Sequence, residues 1–295
     1  MSTYNGERYL LEQLESIRLQ DGVQVSLRIR DDGSTDGTIG TILAYMDQHP
    51  EFPIFLDQGK NLGVLGSFMT LVTDSDGDSP WFAFADQDDV WFRDKLIRGI
   101  KALREQPDAL LYGAAFIPVD ASLVPLSQPV LDKRPGFANA IVENIATGCT
   151  EVFGPSMRKL ALEADVSSAC LHDWWFYLLA TGMGNVVYDN APCMYYRQHS
   201  SNVIGSKDGF FHKWRTRFRR FDGWSKDIFR QGELLLHHYG HRMSKEKVLL
   251  LEEFMRIGKK SFLQRLIYVF KMPVYRQQHL DQFLLDLLLV VGRIR

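Results

Sequence analysis

Three acidic residues at the end of an apolar stretch form the part of this chain best suited to chemistry. The stretch Trp81–Ala85 runs directly into Asp86, and Asp88 and Asp89 follow at once. If the stretch is a buried strand, these carboxylates lie at the rim of a sheet, where open α/β folds bind phosphates and hard cations. Carboxylates this close repel one another, and a divalent cation is the simplest way to hold them together at neutral pH. The alternative is an Asp-rich turn that caps a helix beginning near Arg93.

A second acidic pair, Asp31 and Asp32, follows another short apolar run and precedes a Gly-Ser-Thr-Asp-Gly turn. A carboxylate here can accept hydrogen bonds from a nucleobase N–H or from ribose hydroxyls. A capped Asp-Gly turn explains residues 33–36 but leaves the doubled acid without a role. Two acidic loops at neighbouring strand ends predict a nucleotide cleft between them. The loop between them supplies three candidate neighbours of a diphosphate: Lys60, Asn61 and Gly63.

The elements that must position these loops alternate between short β-branched or aromatic runs and amphipathic segments. This alternation predicts an α/β fold with a mixed, mostly parallel central sheet. The predicted helices are 7–18, 38–48, 65–72, 94–105, 137–145 and 174–180, with one more opened by Pro155. The predicted strands are 27–30, 54–56, 81–85, 109–117, 150–153, 186–188 and 194–197.

Charge divides the chain into two regions. Residues 1–206 carry 15 Lys or Arg against 27 Asp or Glu, whereas residues 207–295 carry 19 against 9. Together with turn-forming residues near 200–208, this predicts a catalytic domain over 1–205 and a helical, basic region over 206–295. The three cysteines have no C-x-x-C spacing, which argues against a zinc ribbon and suits a reducing cytoplasm. The apolar run Phe283–Val291 is too short to span a bilayer, so no transmembrane helix is predicted.

Seven short motifs, taken in order, resemble those of family 2 inverting glycosyltransferases, which have the GT-A, or nucleotide-diphospho-sugar transferase, fold. The motifs are Thr3–Glu7, Asp31–Asp36, Asn61–Gly63, Asp86–Trp91, Thr147–Cys149, His172–Trp175 and Tyr196–His199. The fourth, sixth and seventh are most similar to bacterial rhamnosyltransferases of surface-polysaccharide biosynthesis. Each motif alone is weakly specific, but together they extend the resemblance over roughly residues 1–205.

The resemblance implies roles for individual residues. Asp86 and Asp88 would be the ends of an Asp-x-Asp element that holds Mg²⁺ or Mn²⁺ against the donor diphosphate, with His199 nearby. Asp173 would be the general base that deprotonates the acceptor hydroxyl, giving inversion without a covalent sugar–enzyme intermediate. Donor contacts are expected from Thr3, Tyr4, Asn5, Asp31, Asp32, Lys60, Asn61, Gly63, Asp86, Gln87 and Arg197. Acceptor contacts are expected from Thr147, Gly148, Trp174 and Trp175.

Several of these residues also have structural interpretations. Asp173 precedes an aromatic helical segment and could simply cap it, although a carboxylate at a helix N-terminus also stays ionised, as a base must. Trp174 and Trp175 could belong to the core, which is the commoner place for helical aromatic residues. His199 could be an ordinary surface histidine at a strand end.

The function implied by the resemblance is metal-dependent transfer of a sugar, L-rhamnose from dTDP-rhamnose, to a hydroxyl of a cell-surface polysaccharide or lipid-linked glycan. A sugar-phosphate nucleotidyltransferase would also have an α/β nucleotide site, but it would need a Gly-rich phosphate loop near its start and a signature Lys, which we do not find. A non-catalytic glycan-binding module would have no use for Asp173.

The basic C-terminal region allows three interpretations. Aromatic and cationic residues alternate over 210–221, and amphipathic helices are predicted near 246–257, 262–270 and 279–291. Peripheral contact with an anionic membrane, at the inner face of the plasma membrane, fits this composition. Packing against the acidic catalytic domain, with homodimerisation, is the alternative. Nucleic-acid binding is disfavoured because no recognisable module for it is present.

The first motif begins almost at once, since Met1 is followed directly by Ser2 and Thr3. Members of the family usually have an apolar strand of several residues before this point. We therefore expect most of the first strand to be missing, and the upstream reading frame to encode an apolar pentapeptide.

Overall fold

The computed structural model describes residues 1–128, 133–167, 169–198, 226–271 and 273–294. Two sequence predictions, the His199 metal contact and the basic segment 210–221, lie outside these residues. The strands are β1 (Ser2–Thr3), β2 (Leu27–Asp31), β3 (Ile54–Gln58), β4 (Phe82–Ala83), β5 (Val90–Trp91), β6 (Ala109–Ala114), β7 (Ile117–Val119), β8 (Val152–Phe153), β9 (Asn185–Asp189) and β10 (Met194–Arg197). The helices are α1 (Glu7–Arg18), α2 (Thr38–Gln48), α3 (Gly63–Asp74), α4 (Lys95–Glu105), α5 (Phe137–Ala140), α6 (Pro155–Ala161), α7 (His172–Met183), α8 (226–239), α9 (Lys245–Met255), α10 (Phe262–Lys271) and α11 (His279–Val290). Short 3₁₀ helices cover Gly148–Thr150 and Ile257–Lys259.

The strands form three small sheets. The first has the order β1-β2-β3 and is entirely parallel. The second has the order β4-β8-β6-β9, in which β8 is antiparallel to both of its neighbours and β6 is parallel to β9. In the third, β10 lies between β5, to which it is antiparallel, and β7, to which it is parallel. The predicted α/β class with mixed pairing is confirmed.

Helices cover both faces of the sheets, and alternate strand residues enter two separate cores. Tyr112 and Val152 face a core that includes α1, α2 and α4, whereas their neighbours Leu111 and Phe153 face a core that includes α3 and α5–α7. The second core continues into α8–α11. This is the packing expected when each strand is buried on both sides.

The C-terminal helices thus pack on the catalytic part of the chain. Leu235 and Phe254 are fully buried in the core that also contains Trp175. The Tyr239 hydroxyl donates a hydrogen bond to Leu160 O at 2.6 Å, joining α8 to α6. These helices of the basic region therefore pack against the catalytic part of the chain, as the packing interpretation predicted.

The structure differs from the predicted elements at several places. The predicted helix over 137–145 ends at Ala140, and the predicted strand over 150–153 begins only at Val152, after a 3₁₀ helix. Two further differences concern the strands of the third sheet. The predicted strand over 109–117 is two strands, because the chain leaves β6 after Ala114 and joins the third sheet as β7. Pro118 in β7 has no N–H to donate, and β7 is accordingly an edge strand whose one neighbouring strand in the described sheet is β10. The short strand β5 lies inside the acidic motif, where the sequence predicted only a loop and a helix start.

β1 contains two residues, and it pairs with β2 through Ser2 opposite Arg30 and Thr3 opposite Asp31. The α-amino group of Met1 donates a hydrogen bond to Arg28 O at 2.7 Å. Beside it, a cavity of about 740 Å³ lies between the first and second sheets. Its lining includes Met1, Arg28, Phe84, Trp91 and Ile100.

Candidate active site

The carboxylate of Asp31, at the end of β2, orders the loop that follows it. Its oxygens accept hydrogen bonds from Thr3 Oγ1 at 3.0 Å, from Gly33 N at 3.1 Å, and from Ser34 N and Oγ at 2.8 and 2.5 Å. Asp31 and Thr3 are both buried. The turn-forming interpretation therefore describes what Asp31 does in this structure, and its contact with a pyrimidine base stays a prediction.

Asp32 fixes the neighbouring loop. It forms a buried ion pair with Arg30 and accepts hydrogen bonds from Leu62 N at 2.8 Å and Gly63 N at 2.9 Å. Gly63 has φ +70°, a left-handed conformation that glycine adopts without steric cost. The two other predicted diphosphate neighbours on this loop are exposed: Lys60 and Asn61. Each carboxylate of the doubled acid thus orders one loop of the cleft.

The side-chain amide of Gln87 joins the acidic loop to the end of β1. Its Oε1 accepts a hydrogen bond from Tyr4 N at 2.8 Å, and its Nε2 donates one to Tyr4 O at 3.0 Å. Asn5 follows with φ +49°, and its N–H donates to Ser34 Oγ at 2.9 Å. The structure therefore gathers the predicted donor-binding residues of β1, β2 and the acidic loop at one edge.

Arg197 lies beneath the acidic loop and is 1% exposed. Its Nε donates to Asp88 O at 2.8 Å, its backbone N–H donates to Asp89 Oδ1 at 3.1 Å, and its Nη2 pairs with Glu12. The guanidinium also lies 4.4 Å from the centroid of the Tyr9 ring. Arg197 thus supports the loop from inside, which differs from the predicted contact with the diphosphate.

A cluster of acidic groups lies at the centre of the site. Oxygens of Asp86 and Asp89 and the sulfur of Cys149 lie within 4.8 Å of one another. Burial, followed by the charges of Asp88 and Asp173, raises the pKa of the half-buried Asp86 to about 7. Burial also raises the pKa of Asp89 and of the Cys149 thiol well above their usual ranges. A divalent cation would relieve this repulsion, and carboxylate oxygens suit Mg²⁺ or Mn²⁺ better than a protonated thiol does.

Lys95 is a buried cation beside this cluster that the sequence analysis missed. Its Nζ lies 3.4 Å from the centroid of the Trp91 ring, and within the described ranges it has no hydrogen-bond partner. Burial lowers the pKa of Lys95 to about 8, although the nearby Cys193, Cys149 and Asp89 act in the opposite direction. In the sequence Lys95 resembles any lysine at the start of an amphipathic helix, so no local pattern identifies it.

Asp173 lies in the first turn of α7. Its Oδ2 accepts a hydrogen bond from Gly148 N at 3.1 Å, and its Oδ1 accepts one from Trp174 N at 2.7 Å. Burial raises the pKa of Asp173 to about 6, although these hydrogen bonds act in the opposite direction. The carboxylate is therefore ionised at neutral pH and is still a stronger base than an exposed aspartate. The capping and catalytic interpretations of Asp173 are compatible.

Two titratable residues next to Asp173 were also missed by sequence analysis. Glu151 is fully buried, and burial followed by the charge of Asp173 raises its pKa well above the usual range. Burial lowers the pKa of His172 to about 3, and its ring stacks on Phe68 with centroids 3.9 Å apart. Across the described ranges, neither side chain has a hydrogen-bond partner. Both are therefore uncharged at neutral pH.

The predicted acceptor residues fall into two groups. Thr147 and Gly148 lie beside the Asp173 carboxylate, and Thr147 is half-buried. Trp174 and Trp175 lie in the core, with 1% and 0% exposure, and Trp174 Nε1 donates to Ala140 O at 2.7 Å. The indoles are packed as the core interpretation predicted, so we do not include them in the acceptor site.

Comparison with known proteins identifies the family to which this fold and its acidic cleft belong. The chain belongs to glycosyl transferase family 2, whose model matches residues 1–157. RfbG, a dTDP-rhamnosyl transferase from Shigella flexneri, is 31% identical over 226 residues, which are 73% of this chain and 77% of RfbG.

Two further proteins show how far the similarity extends. WfgD from Escherichia coli, a UDP-Glc:α-D-GlcNAc-diphosphoundecaprenol β-1,3-glucosyltransferase, is 26% identical over 70% of this chain and 79% of its own. The crystal structure of S. aureus TarS in complex with UDP-GlcNAc superposes with a TM-score of 0.62 at 14% identity, covering 100% of this chain and 80% of that one. The predicted family and fold are confirmed, and the chain is a glycosyltransferase.

Proposed function

We propose that this protein transfers L-rhamnose from dTDP-rhamnose to a hydroxyl of a surface polysaccharide or lipid-linked glycan, with Asp173 as general base. The observation that carries the mechanism is the position of Asp173, a half-buried carboxylate in the first turn of α7, close enough to the acidic loop for its charge to raise the pKa of Asp86. Its pKa of about 6 lets it be ionised at neutral pH and still accept a proton from an attacking hydroxyl. The acceptor oxygen forms a new bond to the anomeric carbon of rhamnose as the bond from that carbon to the diphosphate oxygen breaks, so dTDP leaves, the configuration inverts and the proton ends on Asp173.

The donor would lie along the edge formed by β1, β2 and the acidic loop. Tyr4 and Asn5 border this edge together with the Asp31 loop, while Lys60 and Asn61 offer exposed polar side chains for the diphosphate. Similarity to the dTDP-rhamnosyl transferase RfbG supports dTDP-rhamnose as donor.

Asp86 and Asp88 would hold a Mg²⁺ or Mn²⁺ ion, with Asp89 behind them. Support for a cation site comes from the grouped oxygens of Asp86 and Asp89 and from the raised pKa of Asp86, whose main cause is burial and to which the charge of Asp88 adds. A bound divalent cation would neutralise charge that builds up on the leaving nucleoside diphosphate. Gln87 and Arg197 keep the loop in place from the side and from beneath.

The acceptor hydroxyl would approach past Thr147 and Gly148 to reach Asp173. The name of WfgD specifies an acceptor on diphosphoundecaprenol, and this similarity supports a lipid-linked acceptor for the present protein. Such an acceptor would place the enzyme at the inner face of the plasma membrane. In the part of the chain that the structure describes, no helix is long and apolar enough to cross a bilayer.

The general-base role is tested with Asp173→Asn, measured against a panel of dTDP-rhamnose, UDP-glucose and GDP-mannose. We expect turnover of dTDP-rhamnose, as transfer or slow hydrolysis, to fall by about 10²–10⁴-fold because the amide cannot accept the proton. Donor affinity should stay within about twofold, since the amide keeps the size of the carboxylate. Asp57→Asn, an exposed carboxylate on β3, is the matched control. Unchanged turnover would remove Asp173 from the mechanism, and preference for another donor would overturn only the choice of sugar.

The metal site is tested by removing divalent ions with a chelator and titrating Mg²⁺ or Mn²⁺ back. We expect activity to disappear and return, and Asp88→Ala to raise the half-saturating metal concentration by about tenfold or more. Asp78→Ala, which changes an exposed acid after α3, should behave like the wild type. Full activity of the wild type in chelator would contradict a metal requirement.

A further inference from the structure

The two last helices expose rows of large apolar side chains. On α10, Leu263, Ile267 and Phe270 are spaced as i, i+4 and i+7, which places them on one face. Phe270 is 84% exposed, the highest value among the large apolar side chains of the described residues, and Phe262 at the start of the helix is 63% exposed. The opposite side of α10 carries the buried Tyr268.

The same pattern appears on α11. Leu280, Phe283 and Leu287 are spaced as i, i+3 and i+7, and all three are exposed, Phe283 by 60%. The other face of α11 is buried in the core through Leu285 and Leu289. Each helix is therefore apolar on both sides, although only one side is covered by protein.

The two rows belong to one helical hairpin. α10 packs against α11. The Arg265 guanidinium lies against Gly292, and a Cβ atom added to Gly292 would be only 1.9 Å from Arg265 Nη1. The start of α10 is therefore next to the end of α11, and the helices are antiparallel. We call the exposed rows on this hairpin, Phe262, Leu263, Ile267 and Phe270 with Leu280, Phe283 and Leu287, the apolar stripe.

The exposed charges of the hairpin itself have one sign, and the exposed Glu253 of the neighbouring α9 lies 3.8 Å from Lys260 in an ion pair. Within the described part of 261–294, no acidic side chain is exposed, whereas Lys271 and Arg293 are exposed. Asp281 lies 3.8 Å from Arg276 in an ion pair, and Asp286 accepts a hydrogen bond from Gln282 at 2.7 Å. The acids of α11 are thus turned inward or paired, and the outer surface presents apolar and cationic groups.

We propose that the apolar stripe is a membrane-docking surface, which lies in the headgroup region of an anionic bilayer with its Phe and Leu side chains inserted. Apolar area combined with basic charge is the combination that binds interfacial helices to anionic lipid. Helices of 10 and 12 residues are about 15–18 Å long, which suits lying in the interface and is too short to span the hydrocarbon core. A second copy of the chain is a poorer occupant, because both surfaces would carry the cations Lys271 and Arg293, and the described part of 261–294 offers no exposed acid to pair with them.

The test is co-sedimentation of the full chain with phosphatidylcholine vesicles containing about a quarter phosphatidylglycerol, against vesicles of phosphatidylcholine alone. We expect binding to the anionic vesicles that weakens with added salt. Phe270→Ser with Phe283→Ser should lower the partition coefficient by about tenfold or more, because two inserted rings are lost. Phe55→Ser, which changes a phenylalanine 52% exposed on β3, is the matched control and should bind normally.

Two outcomes would overturn the proposal: no binding to anionic vesicles at low salt, or equal loss of binding in the Phe55→Ser control. A dimer in solution that dissociates on changing Phe270 and Phe283, without vesicle binding, would assign the apolar stripe to a second copy instead. An unchanged circular dichroism spectrum and thermal unfolding midpoint in the double variant show that it is folded. The vesicle measurement involves no sugar transfer, so its failure would leave the proposed chemistry untouched.

Discussion

The carboxyl groups of the site differ in protonation because their surroundings differ. Asp173 has hydrogen-bond donors and a pKa of about 6, whereas Glu151, deeply buried beside it, has a pKa well above the usual range. Glu151 therefore stays protonated at neutral pH and adds no negative charge next to the proposed base. This division follows from burial and hydrogen bonding and not from residue type, since both are carboxylic acids.

The raised pKa of Asp173 predicts how activity depends on pH. Because the base must be ionised, we expect kcat/KM for dTDP-rhamnose to rise with pH through a midpoint near 6. The contribution of Asp173 to the free energy of unfolding has the opposite trend. Because its pKa is raised on folding, the folded state holds the proton more tightly than the unfolded chain does. This stabilising contribution is therefore full below about pH 4 and is lost as the pH rises towards 6. A pH–rate profile from 5 to 8 measures the first effect, with circular dichroism confirming that the protein stays folded. A flat profile over this interval would contradict the assignment.

At the scale of elements, the 3₁₀ turn Gly148–Thr150 and the start of α7 fit together closely. A Cβ on Gly148 would lie 2.7 Å from His172 Nε2 and 3.1 Å from Asp173 Cβ. The turn can approach the helix, and donate its N–H to Asp173, only with glycine at this position. The proposed base is thus placed by contact between two elements.

Gly148→Ala should therefore push the turn and the helix apart and displace Asp173. We expect kcat to fall by about tenfold to a hundredfold, because small errors in the position of a catalytic group are costly. Donor affinity should change little, since β1 and β2 are not involved. Gly40→Ala is the control, as a Cβ there meets nothing within 4 Å, and in α2 it should keep full activity. Equal kcat in both variants would show that the close fit is not needed.

Sequence periodicity predicted several elements well. The bounds of α1 and α2 match the prediction, because amphipathic spacing and flanking turn residues determine them locally. The acidic loops were also found in the right place. What could not be predicted depends on distant contacts: Arg197 turns inward because its partners are Asp88, Asp89 and Glu12, far away in the sequence. The burial of Lys95 and Glu151 could not be predicted either, because the residues around them in the sequence form no unusual pattern.

At the scale of the whole molecule, the balance of charge changes near residue 205, but the hydrophobic core continues across that boundary. Leu235, Tyr239 and Phe254 of the C-terminal helices belong to the same core as Trp175 of α7. The division into a catalytic domain over 1–205 and a helical region over 206–295 therefore stays a prediction. The inner faces of these helices complete the core, and their outer faces carry the apolar stripe.

The Arg30–Asp32 pair has a consequence for variation among related sequences. The Asp32 carboxylate forms an ion pair with Arg30 and accepts hydrogen bonds from two backbone amides. Removing the charge of Arg30 or of Asp32 alone therefore leaves the other charge buried without its counterpart. Such a loss costs about 3–5 kcal/mol, because it leaves an uncompensated buried charge. The two positions should therefore covary, and a lineage that has lost the arginine should have lost the second aspartate of the motif with it.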